Sequence, residues 1–128
     1  MAVKRPIALL LMIAMAAVFA ACEEDETIKR ASELTGGNPA QGRAKIEYYG
    51  CGACHTIPGV NGARALVGPE LTHFASRVYV AGVLPNSPQN VMRWIQNPKQ
   101  VDGLTAMPNL NVSEEDARDI TSYLYTLK

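Results

Sequence analysis

Cys51-Gly52-Ala53-Cys54-His55 is the stretch that decides how this chain is read. Two thiols three residues apart lie on one side of a helical turn. From there both can reach one planar ligand, and the histidine that follows can turn its imidazole beneath the centre of that ligand. C-x-x-C-H spacing is the signature of covalent haem attachment, two cysteines to two vinyl groups, with His55 as an iron ligand. Gly52 and Ala53 are small, which predicts a close approach of the backbone to the ring. Two other chemistries share the C-x-x-C core. A thioredoxin-like redox pair belongs on an alternating strand–helix chain, and that pattern is missing here. A zinc site needs two further ligands, which His73 alone does not complete.

Iron held on one side by histidine needs a ligand on the other. The candidates are Met92, Met107 and His73. Met107 lies in the irregular stretch Asp102 to Leu110, stiffened by Pro108, and is read as the sixth ligand. Met92 falls inside a helical pattern and reads as packing. His73 reads as an ordinary hydrogen-bonded loop histidine.

Outward from this motif the chain divides into three parts. Residues 1–21 read as a signal peptide: Lys4 and Arg5 precede an apolar run of 15 residues, Ile7 to Ala21. The run is shorter than the ~20 residues of a spanning helix. It ends Phe19-Ala20-Ala21-Cys22, which resembles a bacterial lipobox, although Phe19 stands where leucine is usual. Cys22 is read as the lipid-attachment site and mature N-terminus, which also removes a stray thiol from an oxidising compartment. The expected location is an exported, membrane-anchored lipoprotein facing the periplasm or cell exterior. The alternative is a plain signal-peptidase site and a soluble periplasmic protein. Residues 22–35 open with Glu23-Glu24-Asp25-Glu26 and read as an acidic flexible tether.

The folded domain is expected over 36–128. It has no internal repeat and no useful strand alternation. Three helices are predicted. The first opens at Asn38-Pro39, with cap and first-turn proline, and stops at Gly50. It carries Ala40, Ala44 and Tyr48 on one face and Ile46 and Tyr49 on the next. The second opens at Ser87-Pro88, turns Val91, Trp94 and Ile95 inward, and ends near Asn97 because Pro98 follows. The third opens at Ser113, with acidic residues in its first turn, a Ser113–Asp116 capping pair, and a stripe of Ala117, Ile120, Leu124 and Leu127. His55 to Val83 reads as loop with a helical turn within Leu71 to Arg77. So much loop in a small domain fits a chain wrapped around a large rigid ligand.

Twelve basic and twelve acidic residues cancel over the 128-residue chain, so there is no basic excess for nucleic-acid binding. The domain alone carries eight basic and seven acidic residues, a net of +1.

In order along the chain come a first helix, Cys51 to His55, Gly68-Pro69-Glu70-Leu71, Asn97-Pro98, Met107-Pro108 and a terminal Tyr123-Leu124. In this the domain resembles the class I cytochromes c in their small bacterial form. The stretch Gly82 to Met107 is similar to cytochrome domains associated with terminal oxidases. The resemblance implies an all-α fold, three main helices and loops around one covalent haem c, with first and last helices crossing. It implies that Pro69 offers its carbonyl to the second ring nitrogen of His55. It implies that Trp94 packs near the haem, its indole N–H on a propionate or another polar group, though plain core packing explains that residue as well. Thr105 falls where the family has a propionate or ligand-loop hydrogen bond, and Arg64 lies on a loop that could approach a propionate.

The function that follows is single-electron transfer in a respiratory or related chain. The expected partners are redox proteins, a terminal oxidase or another respiratory complex among them, and no enzymatic activity is expected. The alternative is a haem peroxidase or a gas or redox sensor with a displaceable sixth ligand. That would want an acid–base group by the distal loop, where Asp102 is the one carboxylate.

Overall fold

The computed structural model describes Met12 and residues 26–128. The rest of the expected signal segment, and Cys22 with its proposed lipid, lie outside the described residues. Residues 26–35 form helix α1. Then follow α2 (Pro39–Tyr48), a 3₁₀ turn at Cys51–Ala53, another at Phe74–Ser76, strands β1 (Tyr79–Val80) and β2 (Leu84–Pro85), α3 (Pro88–Gln96), α4 (Pro98–Val101) and α5 (Glu114–Leu124). The strands make one antiparallel ladder with Tyr79 opposite Pro85 and Val80 opposite Leu84. The architecture is helical, as expected, with this one short ladder beside the helices.

The three expected helices start on their caps. Asn38 Oδ1 accepts from the N–H groups of Ala40 and Gln41, and Ser87 Oγ from Asn90 N–H. Ser113 Oγ accepts from Asp116 N–H at 3.1 Å. Each bond satisfies a donor left free in a first helical turn. Pro98 ends α3, as expected, but also opens α4, where its missing N–H costs nothing at a first position.

α2 and α5 cross at backbone distance. A Cβ on Gly42 would lie 1.9 Å from the carbonyl oxygen of Asp119, so only glycine fits there. The buried face of α2 is accordingly Pro39, Gly42 and Ile46. Ala40 and Ala44 face solvent and Tyr48 is 79 % exposed, so the first of the two apolar faces read from sequence is not a core face. Ile46 packs with Ala117, Ile120 and Leu124 of α5, all below 5 % exposure. Burial of each large aliphatic side chain here stabilises by ~1.5–3 kcal/mol.

Asp116 does more than pair with Ser113 at the cap. Its carboxylate accepts from Lys45 Nζ at 2.9 Å and Tyr49 OH at 2.7 Å, tying the end of α2 to the start of α5. α1 departs from the expected flexible tether. Ala31 is buried, and Thr35 bonds back to its carbonyl. Lys128 Nζ reaches Thr27 Oγ1 at 3.0 Å. Among the described residues no helix is long and apolar enough to cross a membrane.

The hydrogen bonds from Lys45 and then Tyr49 hold the Asp116 carboxyl below its ordinary value. A depressed carboxyl contributes stability above its unfolded pKa of ~3.9 and loses it as pH falls through the lower folded value. Asp116→Asn should therefore lower stability by about 1 kcal/mol at pH 7, a value discounted because Lys45 is partly exposed. The variant should converge on the wild type as pH falls through the depressed folded value of Asp116. Denaturant titration at several pH values measures both limbs.

Candidate haem-binding site

Gly50, at φ +69°, ends α2 and delivers the chain into the Cys51–Ala53 turn. The turn is closed by Cys54 N–H and His55 N–H, which both donate to Cys51 O, at 3.2 and 3.1 Å. Both cysteines are free and half-buried. Burial pushes the Cys51 thiol up. A nucleophilic redox dithiol has the opposite shift. Nor do the described residues gather three or more His, Cys, Asp or Glu side chains that could hold a metal ion, so a zinc site lacks its remaining ligands there.

His55 Nδ1 lies 2.6 Å from the carbonyl oxygen of Pro69. A carbonyl only accepts, so the proton sits on Nδ1 and the Nε2 lone pair is left free for a metal. The loop that makes this bond is pinned on both sides of the imidazole. Gly68 N–H donates to Cys54 O at 2.7 Å and Leu71 N–H to Thr56 O at 2.8 Å. Gly68 is glycine because the ring lies against it: a Cβ would meet His55 Cε1 at 2.4 Å. Gly52 has a different reason from the one its position suggested. A Cβ there would meet Ala63 Cβ at 2.9 Å, so its small size admits the 57–63 loop on that side. That loop is folded on Thr56, which bridges Arg64 and bonds Ala65 O at 3.0 Å, and it buries Ile57 and Ala63.

Met107 lies half-buried in a loop fixed by its own side chains. Thr105 Oγ1 accepts from Met107 N–H at 3.1 Å, and Asp102 Oδ1 from Leu104 N–H at 2.9 Å. Lys99 Nζ bonds the Thr105 carbonyl, and Asn109 Nδ2 reaches Asn97 Oδ1 at 3.5 Å. No hydrogen bond among the described residues joins this loop to the His55 loop. Trp94 and Met92 both lie half-buried on α3 against the core cluster. Its inward residues are Val91 and Ile95, with Trp94 only partly covered. His73 is exposed, with φ +55°, at the start of the Phe74–Ser76 turn. Lys99, Asn97 and Gly68 have structural roles that sequence reasoning did not assign; each acts on a backbone carbonyl, a side-chain amide or a ring that spacing does not locate.

The donor set fits a haem: two thiols on one turn, an imidazole with Nε2 free, and a thioether on a loop. Large apolar side chains also stand uncovered beside these donors. Leu66 and Val67, just before Gly68, are 82 % and 77 % exposed, and Leu104, three residues before Met107, is 96 % exposed.

A family model described as Cytochrome c matches residues 40–128. The chain belongs to the cytochrome c family. The domain is thus a haem-based electron-transfer module, and the family implies covalently bound haem c. Among curated proteins the cytochrome c domain is similar to cytochrome c oxidase subunit 2 of Alkalihalophilus pseudofirmus, 36 % identical over 89 residues, 69 % of this chain and 25 % of that protein. It is also similar to cytochrome c oxidase subunit 2 of Bacillus sp. (strain PS3), 28 % identical over 82 residues, 61 % of this chain and 23 % of that protein. The chain thus spans about a quarter of the length of these relatives. No solved structure matches.

Gly68→Ala should push the imidazole off the Pro69 carbonyl and cost about 1–3 kcal/mol by overpacking. Thermal melts report the stability loss, and the His55 ring signals in NMR report the displaced hydrogen bond.

Proposed function

We propose that this cytochrome c domain is a single-electron carrier of a bacterial respiratory or related electron-transport chain. One haem c is held by thioethers to Cys51 and Cys54 and ligated by His55 and Met107. The observation that carries this reading is the 2.6 Å bond from His55 Nδ1 to Pro69 O, which leaves Nε2 as the metal-binding nitrogen. Haem, when bound, supplies a one-electron couple. The chain's own work is to hold and tune. The Pro69 carbonyl fixes the tautomer and strengthens the imidazole as a donor. The Thr105 and Lys99 bonds brace the loop carrying the Met107 thioether. A soft thioether favours ferrous iron and raises the potential. With His55 and Met107 both supplying ligands, the iron would have no position open to oxygen or peroxide. Asp102, the carboxylate a peroxidase would want free, is engaged on Leu104 N–H.

The two relatives' names support a terminal oxidase or another respiratory complex as the redox partner. The near-neutral domain supports docking through apolar surface, of which Leu66, Val67 and Leu104 offer the most exposed part. The N-terminal sequence supports export and a lipid on Cys22, which would anchor the protein to a membrane without spanning it.

Attachment is tested by Cys51→Ala and Cys54→Ala: holoprotein yield should collapse, and haem staining on a denaturing gel should vanish in the double variant. Haem retained covalently without both cysteines refutes thioether attachment. Ligation is tested at Met107. Met107→Ala should abolish the weak red charge-transfer band of ferric protein and give a high-spin or water-bound spectrum. Met107→His should lower the midpoint potential, within the ~0.8 V span that axial ligands command. Met92→Leu should cost less than about 1.5 kcal/mol and leave the band in place. If His73→Ala or Met92→Leu removes the band while Met107→Ala keeps it, the ligand is misassigned. Anchoring is tested by intact mass: Cys22→Ser should release the domain or block its processing, and an unmodified N-terminus at or beyond residue 22 in the wild type refutes lipidation.

A further inference from the structure

Asn61-Gly62 forms the tip of the loop that seats Ala63 on Gly52. Both residues are exposed. Gly62 has φ +73°, and a Cβ there would meet nothing within 4 Å. It is the third residue of a turn closed by Ala63 N–H on Val60 O at 3.3 Å, a position where positive φ favours glycine. Among the described residues neither the Asn61 side-chain amide nor the Gly62 N–H has a hydrogen-bond partner. The chain's six other asparagines are each restrained or screened. Asn38 and Asn97 precede proline, whose nitrogen carries no hydrogen. Asn86 is bound through both ends of its amide, to Tyr125 OH and to the carbonyls of Phe74 and Arg77. Asn90 lies within α3 with its amide on Pro85 O, and Asn109 Oδ1 accepts from Asn111 N–H at 2.8 Å. Asn111 is followed by Val112, buried and β-branched, which screens its own nitrogen.

We propose that Asn61 is a site of spontaneous deamidation in the folded protein, with water as the only co-reactant. The Gly62 nitrogen attacks Asn61 Cγ and gives up its proton. The N–Cγ bond forms, the Cγ–Nδ2 bond breaks, and Nδ2 leaves as ammonia. Glycine favours this step because no side chain crowds the attacking nitrogen. Water then opens the cyclic imide. Addition at Cγ restores the ordinary backbone with aspartate at position 61. Addition at the backbone carbonyl leaves the chain running through Cβ and Cγ, as isoaspartate. No electron changes hands: an amide and a water become a carboxylate and ammonium. Either product takes the domain from a net of +1 to zero and puts the new charge three residues before Arg64. Isoaspartate also lengthens the backbone inside the Val60–Ala63 turn. That turn, with Ile57 N–H on Ala63 O at 3.1 Å, holds Ala63 against Gly52, so the longer chain loosens the loop there. None of this depends on how haem is ligated.

The test ages the purified full chain in mildly alkaline buffer, folded and denaturant-unfolded side by side, and follows it by intact mass and peptide mapping. Asn61 should be the first asparagine converted in the folded protein. Its rate there should stay within about tenfold of the unfolded rate, because an exposed turn tip opens at little free-energy cost. Asn61→Gln, whose side chain would have to close a larger ring, should keep its starting mass. A folded rate below that limit overturns the proposal. So does another asparagine reacting first, or a mass gain that persists in Asn61→Gln. The isoaspartyl product, separated by ion exchange, should melt below Asn61→Asp, which carries the new charge on an ordinary backbone. Equal melting temperatures overturn the loosening of the loop.

Discussion

The backbones of α2 and α5 meet where Gly42 lies against the Asp119 carbonyl, and the rest of the chain is arranged within the frame this contact sets. With no side chain between them the two helices bury Ile46, Ala117, Ile120 and Leu124 in a single seam. The Asp116–Lys45–Tyr49 cluster then fixes the rotation of one helix on the other one turn away. Tyr49 is the C-cap of α2, two residues before Cys51. The Cys51–Ala53 turn therefore inherits its position from the helix crossing, and His55 inherits it from the turn.

The remainder of the site is organised without much secondary structure. A small domain with long loops must still satisfy its backbone polar groups. Here side chains supply many of the missing partners. Tyr123 OH bonds Pro58 O at 2.6 Å, Thr56 bonds Ala65 O, Asn86 serves two carbonyls, and Arg77 serves two more. Several of these donors are borne by α5 or held by it. One helix and its C-cap thus support α2, the 57–63 loop and the segment that Asn86 holds.

Features written in consecutive residues were legible from sequence. Asn38-Pro39, Ser87-Pro88 and Ser113 mark helix starts because capping is a local bond between a side chain and N–H groups two or three residues on. The order of motifs from Cys51 to Tyr123 carried the family and the fold. What sequence left hidden depends on partners far along the chain. The solvent exposure of Ala40, Ala44 and Tyr48 follows from α5 approaching at Gly42 and not at the alanines. α1 looked like spacer because its acidic start and sparse apolar residues give no periodic face, yet Ala31 is buried and Thr27 meets Lys128 at the far end of the chain. Gly52 and Gly68 are both glycine for lack of room, against Ala63 and the His55 ring, and no local pattern reports which neighbour is there.

The seam between α2 and α5 also has a temporal side. Asn38 N–H bonds Asp119 Oδ1 across 81 residues, and Ser122 Oγ bonds Gly37 O across 85. Such distant pairings form late, since the loop between them must close before any contact rewards it. The turn with Cys51 and Cys54 leaves the ribosome some sixty residues ahead of α5, which starts at Glu114, and has no platform until that helix arrives. For that interval both thiols belong to an open chain, reachable from every side. Burial of the cysteines thereby waits on a helix made some sixty residues later.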